Sequence, residues 1–134
     1  DGMLEKMIGI NLYSAYHLTR KILPVMMKQK RGHIFNMCSI ASLRAYPHGG
    51  AYSIAKYALL GFTENLREEM RPYTIKVTAV CPGAVYTPSW ENSNVEESRI
   101  MATKDIVDTI WSAYNLSPQA NVDMVVMRPV KGDL

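Results

Sequence analysis

The stretch HIFNMCS, residues 33–39, decides the fold of this chain. It is short and mostly apolar, and it does not alternate between apolar and polar residues. This pattern is typical of a strand that is buried on both faces of a parallel sheet. Ile75–Cys81 (IKVTAVC) has the same character and is rich in the β-branched residues that strands favour, which predicts a second buried strand. A third strand is predicted over Val122–Met127 (VDMVVM).

Helical periodicity occupies the segments around these strands. Apolar residues recur at helical spacing from Gly2 to Lys30, and Pro24 falls inside the pattern as a candidate kink. A second long helix is predicted over Ala51–Arg71, where Pro72 closes it. Between the first strand and this helix we expect a loop over Ile40–Gly50.

A third helix is predicted over Lys104–Tyr114, after a polar loop that follows the second strand. Thr103 is its candidate N-cap, and its predicted buried face consists of Ile106, Val107, Ile110 and Trp111. The chain then alternates helix, strand, helix, strand, helix, strand. This order predicts right-handed parallel crossovers and an α/β layered domain.

Composition excludes several classes of function. The chain has 134 residues, of which 48% are hydrophobic and 20% charged, and this suits one globular domain with a core. A net charge of +3 without a basic stripe argues against a nucleic-acid partner. No apolar run is long enough to span a bilayer, and the histidines lack metal-ligand spacing, so we expect neither a membrane nor a metal. Cys38 and Cys81 are predicted to be free buried thiols, which fits a cytoplasmic protein.

The segment Tyr52-Ser53-Ile54-Ala55-Lys56 carries the clearest chemistry, with Ser39 thirteen residues upstream. A tyrosine and a lysine four residues apart project from one face of a helix. An ammonium close to a phenol favours the phenolate, so we expect Lys56 to lower the pKa of Tyr52. The Ser39 hydroxyl could hold a carbonyl or alcohol oxygen beside that phenol. Together these groups fit proton transfer that accompanies a hydride carried by a cofactor.

Four elements in this order resemble the short-chain dehydrogenase/reductase family. Residues 32–39 (GHIFNMCS) resemble the family's strand that leads to the catalytic serine, and Tyr52 and Lys56 match its Tyr-x-x-x-Lys signature. Residues 81–87 (CPGAVYT) resemble its Pro-Gly motif after the next strand, and Asn11 matches its helix asparagine. The resemblance covers nearly the whole chain, although only the second half of the family's fold.

The resemblance implies an incomplete fold. The family begins with a strand, a Gly-rich turn and a helix that cradle the cofactor diphosphate, and this sequence contains no such segment. We therefore expect residues 1–134 to be the C-terminal portion of a single domain, with a partial Rossmann-like, doubly wound parallel sheet. We also expect these residues alone to be inactive and to bind a dinucleotide weakly. The cofactor would be NAD or NADP, a choice that the family makes with residues of the other half.

The resemblance also implies a role for each matching residue. Tyr52 would be the general acid and base, Ser39 would orient the substrate oxygen, and Asn11 would hold a water in a proton relay from Lys56. Lys56 would also bind the nicotinamide ribose. The residues implied to contact the cofactor are Tyr52, Lys56, Pro82, Gly83, Val85 and Thr87.

The same resemblance implies a substrate and an assembly, and two alternative functions stay open. The implied substrate is a small carbonyl or alcohol, and the implied assembly is a homodimer or homotetramer built through Gly2–Lys30 and Ala51–Arg71. One alternative is a degenerate, non-catalytic member that acts as a dimeric binding or scaffold protein. A narrower enzymatic alternative is 3-oxoacyl-carrier-protein reductase. Arg44, Tyr46 and His48 are predicted to be solvated loop residues.

Overall fold

The computed structural model describes every residue from Asp1 to Leu134. The predicted alternation of helices and strands is confirmed. In chain order the elements are α1 (Met3–Ile8), a π-helical turn (Gly9–Tyr13), α2 (Ser14–Gln29), β1 (Gly32–Met37), α3 (Gly50–Met70), β2 (Ile75–Pro82), α4 (Thr103–Tyr114) and β3 (Met124–Met127).

The three strands form one parallel sheet in the order β1-β2-β3, which confirms the predicted partial Rossmann-like sheet. Ile34 pairs with Val77 across the first strand pair, and Val80 pairs with Val125 across the second. The middle strand, β2, is the most deeply buried because it has a neighbour on each side. β1 has no strand partner on its outer side.

The two faces of the sheet carry different helices. On one face Leu66 and Met70 of α3 pack with Ile34, Ile75 and Val77 in a buried cluster. Successive side chains of a strand point to opposite faces. Accordingly, His33 points to the other face, where it stacks against Tyr114 of α4 with ring centroids 6.2 Å apart. This layering positions the carboxyl ends of β1 and β2 beside the start of α3.

The N-terminal helix differs from its prediction in the middle. The periodic segment is interrupted at Gly9–Tyr13 by the π-helical turn, whose hydrogen bonds span one residue more than those of an α-helix. Asn11 lies in this turn and donates from Nδ2 to the Met7 carbonyl at 3.0 Å. Pro24 lies inside α2 without ending it.

Helix α4, the third helix predicted from the sequence, begins one residue earlier than predicted. Thr103 is its first residue rather than its N-cap. The Ala102 N–H instead donates to the Asp105 carboxylate at 2.9 Å, which satisfies a free amide at the helix start. The predicted buried face was wrong for two residues, since Val107 is 61% exposed and Trp111 is 63% exposed. The buried stripe passes through Ile106 and Ala113, which are seven residues apart and therefore on one face.

Two strand boundaries differ from their predictions by two residues, and two others, the start of β1 at Gly32 and the end of β2 at Pro82, differ by one. β3 begins at Met124 rather than Val122, because the Asn121 side chain occupies the preceding ladder position. Its Oδ1 accepts from the Val77 N–H at 3.0 Å and its Nδ2 donates to the Val77 carbonyl at 3.2 Å. β1 ends at Met37 rather than Ser39, because Ser39 caps the short 3₁₀ turn that follows.

Buried polar contacts connect β1 to α3. Asn36 donates from Nδ2 to Thr63 Oγ1 at 2.9 Å, and Thr63 in turn donates to the Leu59 carbonyl at 2.7 Å. At the start of α3, Ser53 donates to the Ala41 carbonyl at 2.9 Å. Because buried polar groups need partners, these bonds fix the register between helix and strand.

Candidate active site

A cavity of about 670 Å³ opens at the carboxyl ends of β1 and β2. Ligands of open α/β sheets bind at this end of the strands. Six of the eight site residues predicted from the sequence line this cavity, namely Ser39, Tyr52, Pro82, Gly83, Val85 and Thr87. The other two, Asn11 and Lys56, line a second cavity. The structure therefore brings together segments that are more than forty residues apart in the sequence.

Ser39 is buried and held by the turn that it caps. Its Oγ accepts from the Ala41 N–H at 3.1 Å, while its own N–H donates to Ser42 Oγ at 3.2 Å. The two bonds fix the side chain relative to the end of β1. Since the Ser39 oxygen acts as acceptor in this turn, its hydroxyl proton is free to be donated into the cavity.

Tyr52 enters the same cavity from the first turn of α3. The bond from Ser53 to Ala41 anchors this turn against the segment that carries Ser39. Burial raises the pKa of the Tyr52 phenol above its ordinary value, and the nearby Ser39 hydroxyl opposes part of that rise. The phenol therefore keeps its proton at neutral pH.

Lys56 lies one turn further along α3 and is 9% exposed. Its Nζ donates to the Met37 carbonyl at 2.7 Å and lies 5.6 Å from the centre of the Tyr52 ring. Burial lowers the pKa of Lys56 itself. The prediction of a lowered Tyr52 pKa was therefore wrong. Burial of the phenol is the largest cause of the shift and raises this pKa, while the Lys56 ammonium donates to a carbonyl rather than to the phenol oxygen.

Asn11 and Lys56 share a second cavity. Both line a space of about 470 Å³ between α2 and β1. Lys56 thus lines the same cavity as Asn11, while its Nζ lies 5.6 Å from the centre of the Tyr52 ring. Asn11 is positioned by the π-helical turn, which no local sequence signal indicated.

The outer wall of the first cavity was largely missed by sequence reasoning. It contains Trp90 and, from α4, Ile106, Val107 and Ile110. Of the 20 residues that line the whole cavity 13 are hydrophobic, so the site favours an apolar ligand. Arg44 and Tyr46 also line the cavity, whereas the sequence favoured solvated loop residues. The apolar period of α4 was a usable signal, but it did not reveal which residues face the cavity.

A cluster of charges ties this outer wall together. The Asp133 carboxylate forms ion pairs with Arg44, from the loop before α3, and with Arg128. Arg99 donates to the Gly132 carbonyl at 3.0 Å. Two segments that are distant in the sequence, those of Arg44 and Arg99, therefore meet residues 128–134.

Two classes of feature are not found in the structure. No group of three or more His, Cys, Asp or Glu side chains is arranged to hold a metal ion. None of the helices combines the length and the apolar character that crossing a bilayer requires. Cys38 and Cys81 are both free and buried, as predicted.

Comparison with known proteins places this geometry in a family. The sequence profile described as short chain dehydrogenase matches residues 1–98. The chain is 33% identical over 128 residues to sepiapterin reductase of Chlorobaculum tepidum, covering 95% of this chain and 52% of that protein. It is 30% identical over 126 residues to an uncharacterized oxidoreductase of Staphylococcus epidermidis, covering 94% of this chain and 55% of that protein.

Solved structures agree with the sequence relatives. A betaketoacyl-[ACP] reductase from Bacteroides thetaiotaomicron superposes with a TM-score of 0.81 at 31% identity, over 96% of this chain and 53% of that one. A metagenomic short-chain oxidoreductase in complex with NADP gives a TM-score of 0.72 at 30% identity, over 92% and 49%. The chain spans about half the length of the proteins that it matches. On its sequence profile and on its relatives, this chain belongs to the short-chain dehydrogenase family.

Proposed function

We propose that this chain forms the C-terminal half of an NAD(P)-dependent oxidoreductase that interconverts a carbonyl and an alcohol. The observation that carries the proposal is the shared cavity of Ser39 and Tyr52, with Lys56 Nζ 5.6 Å from the centre of the Tyr52 ring. The span of about half of each relative supports the assignment to one half of a domain. Two free cysteines support a reducing compartment, the cytoplasm.

The residues around the cavity fit a nicotinamide group. Pro82, Val85 and Thr87 would hold the ring and its amide, while Tyr52 and Lys56 would hold the ribose. A Cβ added at Gly83 would lie 3.2 Å from Pro129 Cδ, so glycine allows the loop after β2 to pass close to residues 128–134. When bound, the nicotinamide supplies or takes up the hydride. The similarity to an NADP-bound short-chain oxidoreductase supports NAD or NADP in this role.

Ser39 and Tyr52 would act together on the substrate oxygen. The Ser39 hydroxyl donates to that oxygen and orients the carbonyl, because its own oxygen is already engaged by the Ala41 N–H. The Tyr52 phenol gives its proton to the same oxygen as negative charge develops there. A raised pKa suits this acid role, since the phenol is protonated at neutral pH. In the oxidative direction Tyr52 takes the proton back.

Lys56 and Asn11 would return the proton to Tyr52. The Lys56 ammonium would stabilise the phenolate left after transfer, and its place in one cavity with Asn11, 5.6 Å from the centre of the Tyr52 ring, suits it to pass a proton onward. Asn11 would hold a water in the relay that runs out from Lys56. The Asn11 carbonyl is suited to this because its Nδ2 is already engaged by the Met7 carbonyl.

The test compares two tyrosines on one helix. Tyr57 is 45% exposed and does not line the cavity, so Tyr57→Phe is the matched control for Tyr52→Phe. In full-length protein we expect carbonyl-dependent loss of NAD(P)H to fall about 10²–10⁴-fold in Tyr52→Phe, the usual contribution of a general acid. Tyr57→Phe should keep the unsubstituted rate.

The outcome that overturns the assignment is an equal rate in Tyr52→Phe and unsubstituted protein. The substrate panel includes a β-ketoacyl thioester, because similarity to a betaketoacyl-[ACP] reductase supports that narrower candidate. Turnover of other carbonyls without this thioester would remove the narrower candidate and leave the general one.

We also propose a homodimer built on the N-terminal helical segment and α3. Large apolar side chains are exposed on both, among them Leu18 at 64% and Ile54 at 53%. Several large apolar side chains exposed on two such helices are the surface that an interface would cover. Sedimentation of full-length protein should give at least a dimer at micromolar concentration, and Leu18→Arg should weaken it. A monomer in the unsubstituted protein contradicts the proposal.

We further propose that residues 1–134 alone bind a dinucleotide weakly and are inactive. β1 has an unpaired outer edge, and the chain has no Gly-rich turn at a helix N-terminus to take the diphosphate. Calorimetry should detect micromolar NAD or NADP binding in full-length protein and none in a protein confined to these residues. Micromolar binding by the shorter protein would refute this view.

A further inference from the structure

The only two cysteines of the chain lie side by side at the active-site end of the sheet. Met37 and Val80 form the last residue pair between β1 and β2, and Cys38 and Cys81 are the residues that follow them. Neighbouring strands are about 4.8 Å apart. Both cysteines belong to one buried cluster against α3, so their side chains point to the same face of the sheet.

The pair can be reached from one side. Cys38 lines the cavity that also contains Ser39 and Tyr52, whereas Cys81 is completely buried behind it. A reagent that enters the cavity therefore meets Cys38 first and finds Cys81 next to it. The mostly apolar wall of the cavity favours a reagent with an apolar substituent.

The two thiols differ in acidity. Hydrogen bonding from the neighbouring Cys81 thiol lowers the pKa of Cys38, with Thr63 and Lys56 acting in the same direction against burial. The hydrogen bond with the Cys38 thiol, and after it burial, raise the pKa of Cys81. Because the thiolate is the nucleophile, Cys38 is the thiol that attacks and Cys81 is the one that keeps its proton until later.

We propose that Cys38 and Cys81 form a dithiol site that chelates thiol-seeking trivalent arsenicals, with the organic substituent lying in the apolar cavity. The probe is phenylarsine oxide. Two sulfur–arsenic bonds form, the arsenic–oxygen bond breaks, and the oxygen leaves as water with both thiol protons. Arsenic stays trivalent and the sulfurs are not oxidised, so the reaction needs no oxidant.

Chelation at this place acts on the proposed catalytic site. Cys38 immediately precedes Ser39, and Cys81 immediately precedes the Pro82-Gly83 turn. The bound phenyl group would occupy the space between Ser39, Tyr52 and Val85. Loss of activity therefore rests on the proposed function, whereas formation of the adduct does not.

The experiment uses full-length protein and reads mass as well as activity. After treatment, denatured protein is alkylated with iodoacetamide and digested with trypsin, which releases Cys38 in Gly32–Arg44 and Cys81 in Val77–Arg99. We expect one arsenical per chain and simultaneous protection of both peptides. Dimercaptopropanol should remove the arsenical and restore activity, whereas 2-mercaptoethanol should not. In Cys38→Ser and in Cys81→Ser the dissociation constant should rise about 10²-fold or more, because the second, intramolecular bond is lost.

The outcomes separate the two proposals. Protection of one peptide or of neither in the unsubstituted protein overturns the dithiol site, and this readout needs no variant to fold. Equal retention of the arsenical by either serine variant overturns it as well. A chelate on both cysteines that leaves carbonyl reduction unchanged keeps the dithiol site and overturns the proposed location of catalysis.

Discussion

Replacing Thr63 by valine should destabilise the protein because it leaves the buried side-chain amide of Asn36 without its hydrogen-bond acceptor. Thr63 is fully buried in α3, and its hydroxyl accepts from Asn36 and donates to the Leu59 carbonyl. Valine has nearly the same shape, so no cavity forms. The substitution instead leaves the Asn36 amide without its acceptor, in a side chain that is only 7% exposed.

The expected cost follows from that unsatisfied donor. A buried polar group without a partner costs about 1–3 kcal/mol, so Thr63→Val should lower the free energy of unfolding by about 2 kcal/mol. Thr63→Ser keeps the hydroxyl and removes one methyl group, which costs about 1 kcal/mol. Thr63→Val, which preserves the shape of the side chain, should therefore lower the free energy of unfolding more than Thr63→Ser does.

Urea unfolding of full-length protein measures these differences, provided that the denaturant slope is unchanged. A double-mutant cycle with Asn36→Leu isolates the pair, because replacing both partners by apolar groups removes the unsatisfied donor. In the Asn36→Leu background, Thr63→Val should cost at least about 1 kcal/mol less than it does alone. An identical cost in both backgrounds would refute the reasoning.

Three further predictions concern other parts of the molecule. Burial, followed by the charge of Lys76, lowers the pKa of His33 to about 4, so the folded state binds fewer protons than the unfolded state below pH 6.5. The free energy of unfolding should therefore fall as the pH is lowered from about 6.5 to about 4, and His33→Gln should flatten that slope in urea titrations. Asp133→Asn should change the free energy of unfolding by less than about 1 kcal/mol, because its arginine partners are solvent-accessible. Steady-state kinetics of the same variant should show a raised KM with little change in kcat, and a fall in kcat alone would contradict this. Gly61→Ala should stabilise α3 by about 0.5–1 kcal/mol in thermal unfolding, since an added Cβ meets nothing within 4 Å, and destabilisation would indicate an undescribed contact.

The parts of the fold that were predictable from sequence depend on local patterns. The apolar run around Phe35 and the β-branched run of β2 could be predicted as strands. A short, mostly apolar run without alternation is typical of a strand that is buried on both faces of a parallel sheet. The end of α3 near Pro72 follows from the missing backbone N–H of proline. These signals needed no knowledge of what packs against them.

The features that escaped prediction depend on distant partners. The late start of β3 results from an Asn121 side chain that replaces a backbone pair on Val77, and no pattern in the sequence indicates such a substitution. The Tyr52–Lys56 spacing predicted that the two side chains lie close together on one helix face. It did not predict that the Met37 carbonyl would accept a hydrogen bond from the Lys56 ammonium. Helical periodicity likewise could not distinguish which side of α4 the sheet would cover.

The anchoring of the cavity wall at Asp133 bears on how the substrate range of such a protein can change during evolution. Buried hydrogen bonds hold the wall with Ser39 and Tyr52, and a substitution there lowers stability before it alters chemistry. The opposite wall depends on the ion pairs of Asp133 with Arg44 and Arg128, two arginines that solvent reaches. We expect substitutions there to cost little stability, so the proposed substrate range can change while Ser39 and Tyr52 stay in place.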